Sequence, residues 1–181
     1  EAKTIAIIGA GPVGLAAAAH ALERGMRPIV LERGPRAGHA IGHWAHVRMF
    51  STWALNIDAA SARLLAKSGW RAPDPDAHPT GGELLERYVA PLAASPDIRA
   101  ALRPHARVRS VGRMGLDKVK SAGRAQAPFE LVVDGPHGEY RLRADAVIDA
   151  SGTWLQPAPA GSDGRAAPGE TVNKGRIAYG M

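Results

Sequence analysis

The sequence predicts an α/β fold: a parallel sheet with a glycine-rich strand-to-helix turn, an antiparallel β-meander as crossover, and a helical insertion between them. Three observations carry this prediction. A short β-branched run, Thr4-Ile5-Ala6-Ile7-Ile8, feeds directly into Gly9-Ala10-Gly11-Pro12-Val13-Gly14 and an alanine-rich stretch. A second apolar run, Pro28-Ile29-Val30-Leu31, ends in the acid Glu32. Further on, strand-like segments over 106–143 alternate in polarity, and Ala146-Val147-Ile148-Asp149-Ala150 returns as another apolar run.

Each element has a local cause. A continuous β-branched run of five residues is the pattern of a strand buried on both faces, as in parallel sheets. Leu15 to Arg24 has high helix propensity and stops at Gly25. Strand, glycine loop, helix and acid-terminated strand make a dinucleotide-binding βαβ unit with G-x-G-x-x-G. Gly9 allows the tight turn off the strand, Gly11 lets a pyrophosphate approach the backbone, and Gly14 lets the helix pack on the sheet. Pro12 suits the first helical turn, where a missing N–H costs little. The pyrophosphate would sit on the helix N-terminus beside Val13, and Glu32 would accept hydrogen bonds from an adenosine ribose.

Between Arg33 and Pro104 no parallel strand is evident. A Gly/His/Trp loop comes first, then candidate helices at 61–68 and 82–92 flanking a proline-rich spacer, Pro73-Asp74-Pro75-Asp76. Thr80 and Glu83 stand at capping-box spacing before the second helix. Three strands follow: Ala106–Val111, Phe129–Asp134 and Glu139–Arg143. Gly135-Pro136-His137-Gly138 turns the last two into a hairpin. A plain NAD domain would place a second helix and strand soon after Glu32. A meander crossover and a return strand ending in Ser151-Gly152-Thr153 fit FAD better.

These residues resemble a known family. Gly9, Gly11 and Gly14, the Glu32-Arg33 pair, the long insertion and Val147-Ile148-Asp149-Ala150-Ser151-Gly152-Thr153 are similar to the Rossmann-like FAD domain of two-dinucleotide-binding-domain flavoproteins. That group includes the flavin-containing monooxygenases and the thioredoxin-reductase-like enzymes. The usual second motif, Ala-Thr-Gly, is here Ala150-Ser151-Gly152. The resemblance implies FAD as cofactor, NAD(P)H as reductant, and hydride passing from nicotinamide to flavin and on to substrate or oxygen. It implies that Val108 presents backbone groups to the adenine. Gly42-His43-Trp44 resembles a Gly-Gly-x-Trp loop that wraps the flavin, which would place Arg48, Ser51 and Trp53 near the cofactor. His43, Trp44, Arg48, Phe50 and Trp53 also concentrate rings and donors in a chain that is 5% aromatic, a lining suited to flat ligands. The other reading of the same residues is core packing for Trp44, Phe50 and Trp53, with Arg48 on the surface.

The resemblance also implies an incomplete FAD domain over 1–155, with the insertion at 40–105 and the meander at 106–143. Residues 156–181 form a Pro/Gly-rich linker toward an NAD(P)H-binding domain whose own glycine motif is not in this sequence. The expectation is an FAD-dependent oxidoreductase, with this portion inactive without that domain. Two other readings remain: a non-catalytic nucleotide-binding module and a single-domain NAD-dependent dehydrogenase. The Phe-x-Gly-x-x-x-His monooxygenase fingerprint is missing, and no catalytic acid or base stands out. The substrate is expected to be a small molecule that these motifs do not specify.

Composition narrows the alternatives. The 181 residues fit one ordinary domain, and no cysteine is present to build a disulfide scaffold or a thiol site. Net charge is +6, but the positive residues are scattered from Lys3 to Arg176 with no block of like charge, so no nucleic-acid footprint is expected. No apolar run approaches the length of a bilayer span and no signal-peptide pattern opens the chain, so cytoplasm is the default expectation. His39, His43 and His46 invite a metal reading, but Gly38 and Gly42 should break any helix there, no cysteine exists and the nearest downstream carboxylate is Asp58. Neither a G-x-S-x-G elbow nor a P-loop is present.

Overall fold

In the computed structural model, which describes residues 2–179, the chain forms two compact units. One ends at Ser151 and the other begins at Gly152.

The first unit holds a four-stranded parallel sheet in which Leu102–Arg103, Arg27–Leu31, Thr4–Ile8 and Ala146–Asp149 lie side by side in that order. β1 (Thr4–Ile8) leads through the glycine loop into α1 (Pro12–Glu23) and then β2 (Arg27–Leu31). Gly25, at φ +66, ends α1, with its N–H on Leu22 O and the Met26 N–H on Ala21 O. That is the Schellman stop that the glycine predicts. The insertion carries α2 (Trp53–Asn56), α3 (Ala59–Ala66), α4 (Gly81–Leu84), α5 (Ala90–Ala94) and α6 (Pro96–Ala101). β3 (Leu102–Arg103) follows, then the meander β4 (Arg107–Arg113), β5 (Phe129–Gly135) and β6 (Gly138–Ala144), and finally β7 (Ala146–Asp149).

The sheet works as a divider because successive side chains point to opposite faces. Ile7 and Val30 face α1 and the insertion, packing with Leu15, Ala18, Leu65, Tyr88 and Leu92. Ala6 and Leu31 face the meander and pack with Leu131, Val133 and Ala144. Burying each large aliphatic side chain contributes about 1.5–3 kcal/mol. β1 is central, paired with β2 through Ala6↔Ile29 and with β7 through Ala6↔Val147. The meander is antiparallel throughout, with a bulge between Val108 and Ser110.

Three features depart from the sequence reading. A parallel strand does exist before Pro104: β3 pairs with β2 through Val30↔Leu102 and Leu31↔Arg103. It is only two residues long, too short to show any periodicity. Gly38 and Gly42 do not prevent helix formation either. A 3-10 helix runs from His39 to Trp44, with Gly38 as its left-handed N-cap and Gly42 inside it. Thirdly, the helix expected over 82–92 begins at Gly81, with Thr80 and Glu83 forming the predicted capping box across its first turn, and widens to a π-helical stretch over Leu85–Val89. The Trp70 indole N–H donates to Arg87 O within that stretch at 2.8 Å, supplying a partner from outside the helix.

The second unit starts at Gly152, four residues before the segment expected from 156 onward, and it has hydrogen bonds of its own. The Glu170 carboxylate accepts from Ala160 N–H at 3.0 Å, from Ala167 N–H at 2.6 Å and from the Tyr179 hydroxyl. The Tyr179 bond foremost, then the two N–H groups, hold this carboxyl below the usual range.

Candidate functional site

The carboxyl ends of β1, β2 and β7 meet at the glycine loop. Gly9 has φ +98, and a Cβ there would lie 2.6 Å from Ala150 O, so only glycine fits between the two strand ends. At Gly14 a Cβ would lie 1.9 Å from Gly9 O. The helix can therefore start directly over the turn, as the motif requires. Gly11 differs from both: a Cβ there would meet nothing within 4 Å. The space above Gly11 is open. Gly11 caps α1 with no side-chain hydrogen bond, and Pro12 follows it. The first-turn N–H groups are thus left for an anion.

Glu32 sits beside this loop, 9% exposed. Its carboxylate accepts the Ala10 N–H at 2.9 Å on one oxygen and the Gly34 N–H at 2.7 Å on the other. The acid therefore braces the glycine loop against the turn that follows β2. A carboxylate has about four acceptor positions, so each oxygen retains capacity for a ribose hydroxyl. Sequence reasoning missed Ala10 and Gly34 as partners, because backbone donors leave no residue-type signal.

The second motif lies next to the first. Ala150 N–H donates to Ile8 O at 2.9 Å, which carries the β7 pairing one residue beyond the strand. Ser151 N–H donates to Asp149 at 3.0 Å. The Ser151 hydroxyl, then its N–H, hold the Asp149 carboxyl below the usual range. Gly152, at φ +67, opens the second unit.

The other sequence-predicted residues divide into two groups. Val13 is 70% exposed at the start of α1, and Arg33 is exposed after Glu32. Gly38 N–H donates to Ala10 O at 2.9 Å, so the 3-10 helix with His43 and Trp44 begins against the glycine loop. His43 is exposed and meets His39 edge-on at 5.3 Å. Trp44 is half-buried, and a Cβ at Gly81 would touch its ring at 2.5 Å.

Beyond this point the chain turns to its own packing. Arg48 donates to His78 O. Ser51 bonds to the Asn56 side chain at 3.0 Å. Trp53 is 2% exposed in the core, whereas Phe50 is 97% exposed. For Trp53 the core-packing reading describes the structure, and for Phe50 it does not. Val108 packs into the meander cluster opposite Val133. No set of three His, Asp or Glu among the described residues is placed to hold a metal.

An open glycine cradle on a parallel sheet, with a braced acid at the next strand end, defines a dinucleotide-binding α/β protein. The chain belongs to the pyridine nucleotide-disulphide oxidoreductase family, whose profile matches residues 6–115. No curated protein matches it. Solved structures share the fold at low identity. Bacillithiol disulfide reductase Bdr from Bacillus cereus is 21% identical with a TM-score of 0.64, over 88% of this chain and 44% of its own. OTEMO in complex with FAD and NADP is 22% identical with a TM-score of 0.60, over 83% of this chain and 26% of its own. Cyclohexanone monooxygenase bound to ε-caprolactone is 22% identical with a TM-score of 0.58, over 83% of this chain and 27% of its own. The chain thus spans less than half the length of these structures.

Proposed function

We propose that this chain is the FAD-binding part of an NAD(P)H-dependent flavoprotein oxidoreductase. The observation that carries the reading is the contrast among the three motif glycines. Gly9 and Gly14 have no room for a Cβ because protein backbone fills it, whereas the space at Gly11 is open. A cradle kept clear at one glycine is what close approach of a pyrophosphate needs. Family membership and the meander crossover favour FAD over NAD as the resident dinucleotide.

The chain's own groups have distinct tasks in this reading. First-turn N–H groups of α1 receive the pyrophosphate, with the helix dipole favouring its charge. Glu32 holds the loop in shape and accepts from the adenosine ribose. Val108 lies where the polypeptide passes the adenine, and Ala150 and Ser151 close the other side of the loop. His43 and Trp44 stand on the helix that starts at the loop, on the path toward the flavin ring; Arg48 and Ser51 support that path from further along. When bound, FAD would supply the redox chemistry, with NAD(P)H as reductant and the protein providing binding and orientation. Oxidoreductase activity, a small-molecule substrate and a cytoplasmic location belong to this proposal. Among the described residues no helix is long and apolar enough to cross a membrane.

Reconstitution tests it. Apo-protein incubated with FAD and freed of excess ligand should retain flavin absorbance, and denaturation should release FAD. Colourless protein that binds NADH but not FAD would overturn the reading in favour of an NAD-dependent dehydrogenase.

A further inference from the structure

Past the end of β3 the chain makes one unusual step. His105 has φ +54, and it is the single non-glycine residue in the left-handed region among those described. Residues with a Cβ seldom adopt that conformation, though histidine tolerates it better than most. Its side chain is exposed, so core packing does not call for a histidine here.

The backbone around it explains the step. Arg103 O accepts the Glu32 N–H at 2.9 Å, continuing the parallel pairing of β2 with β3. Immediately afterwards two successive N–H groups turn onto the same segment. His105 N–H donates to Gly34 O at 3.0 Å, and Ala106 N–H donates to Glu32 O at 2.8 Å. The left-handed step brings both donors to bear on the turn over 32–34. That turn is where Gly34 N–H holds one oxygen of the Glu32 carboxylate while Ala10 N–H holds the other. A chain of bonds thus runs from His105 through Gly34 and Glu32 to the glycine loop.

We propose that His105 is a positioning residue for the adenosine end of the dinucleotide site. Its left-handed backbone fixes Gly34, and Gly34 fixes the Glu32 carboxylate against Ala10. This rests on the dinucleotide reading above and adds a residue outside both glycine motifs. A substitution that disfavours the left-handed step loosens the acid; glycine, which adopts it freely, does not.

The test compares wild type, His105→Ala and His105→Gly, with FAD, ADP and FMN as titrants and thermal unfolding of each apo-protein as a control. ADP carries the adenosine end alone and FMN the flavin end alone. His105→Ala should weaken FAD and ADP about tenfold. FMN should be unchanged, and His105→Gly should bind all three as wild type does. A general loss of fold would weaken FMN equally. Should His105→Ala fail to fold, His105→Gly decides, with wild-type affinity supporting the proposal and weakened ADP binding overturning it. The proposal also fails if His105→Ala binds ADP as wild type does, if His105→Gly is as weak as His105→Ala, or if FMN weakens in step with ADP. FAD bound equally by all three proteins sinks this proposal alone. Wild type that binds no FAD sinks the underlying reading with it.

Discussion

The glycine loop with Glu32 and the segment from His43 to Asn56 are both parts of the proposed site, yet they are held by different forces. In the first, backbone packs on backbone at Gly9 against Ala150 O and Gly14 against Gly9 O, and the one side chain involved, the Glu32 carboxylate, bonds only backbone N–H groups. In the second, side chains do the holding. Trp44 lies on Gly81, Arg48 on His78 O, Ser51 on Asn56, and Trp53 fills the core. Backbone contacts that exclude a Cβ restrict residue type, so they leave a motif. Side-chain contacts can be met by many combinations, so they leave almost none.

Substitutions probe the two kinds of contact separately. The largest effect is expected at Trp53. Trp53→Ala removes a fully packed ring and should cost about 3–5 kcal/mol in urea unfolding. A cost below about 1 kcal/mol would mean the ring is not a core element. Gly14→Ala comes next, since its Cβ would meet backbone at 1.9 Å. Forcing the helix off the turn should cost about 3 kcal/mol, again read by unfolding. Glu32→Gln follows, at about 1–3 kcal/mol. An amide has one acceptor oxygen for two N–H groups and turns a donor toward the other. Equal stability of Glu32→Gln and wild type would show that the brace is not needed.

How far the sequence alone reaches follows from the same contrast. β1, α1, β2, the meander and β7 were legible because each has its own periodicity and its own glycine punctuation. The Thr80–Glu83 capping box was legible for the same reason, as both of its bonds lie within four residues. β3 was not, because two residues carry no period and their strand state comes from pairing with β2. The 3-10 helix through Gly42 depends on Gly38 reaching Ala10 O, a contact remote in sequence. Trp53 and Phe50 are near neighbours in a ring-rich segment, and only the fold separates the buried one from the exposed one. His105 carried no signal, since a left-handed histidine is written like any other.

The smaller predictions probe the insertion. Asp58 caps α3 by accepting the Ser61 N–H at 2.9 Å and pairs with His20 at 3.0 Å. Burial acts to raise its pKa, but the Ser61 N–H and His20 outweigh it and hold the carboxyl below its ordinary range. A folded-state value that is depressed stabilises above the unfolded value and is lost as pH falls through the folded one. Asp58→Ala should therefore cost about 1 kcal/mol at neutral pH. The gap from wild type should close as pH drops below the ordinary aspartate range, as followed by unfolding across pH. The smallest effect is expected at Phe50, where Phe50→Ser should change stability by less than about 0.5 kcal/mol.

If the open space at Gly11 belongs to a dinucleotide phosphate, filling it should cost binding and not folding. Titrating wild type and Gly11→Ala with FAD, with urea unfolding of both apo-proteins in parallel, tests it most directly. Gly11→Ala should weaken FAD by about tenfold or more while stability falls by about 1 kcal/mol at most. Unchanged FAD affinity in Gly11→Ala, with wild type binding FAD, would contradict it.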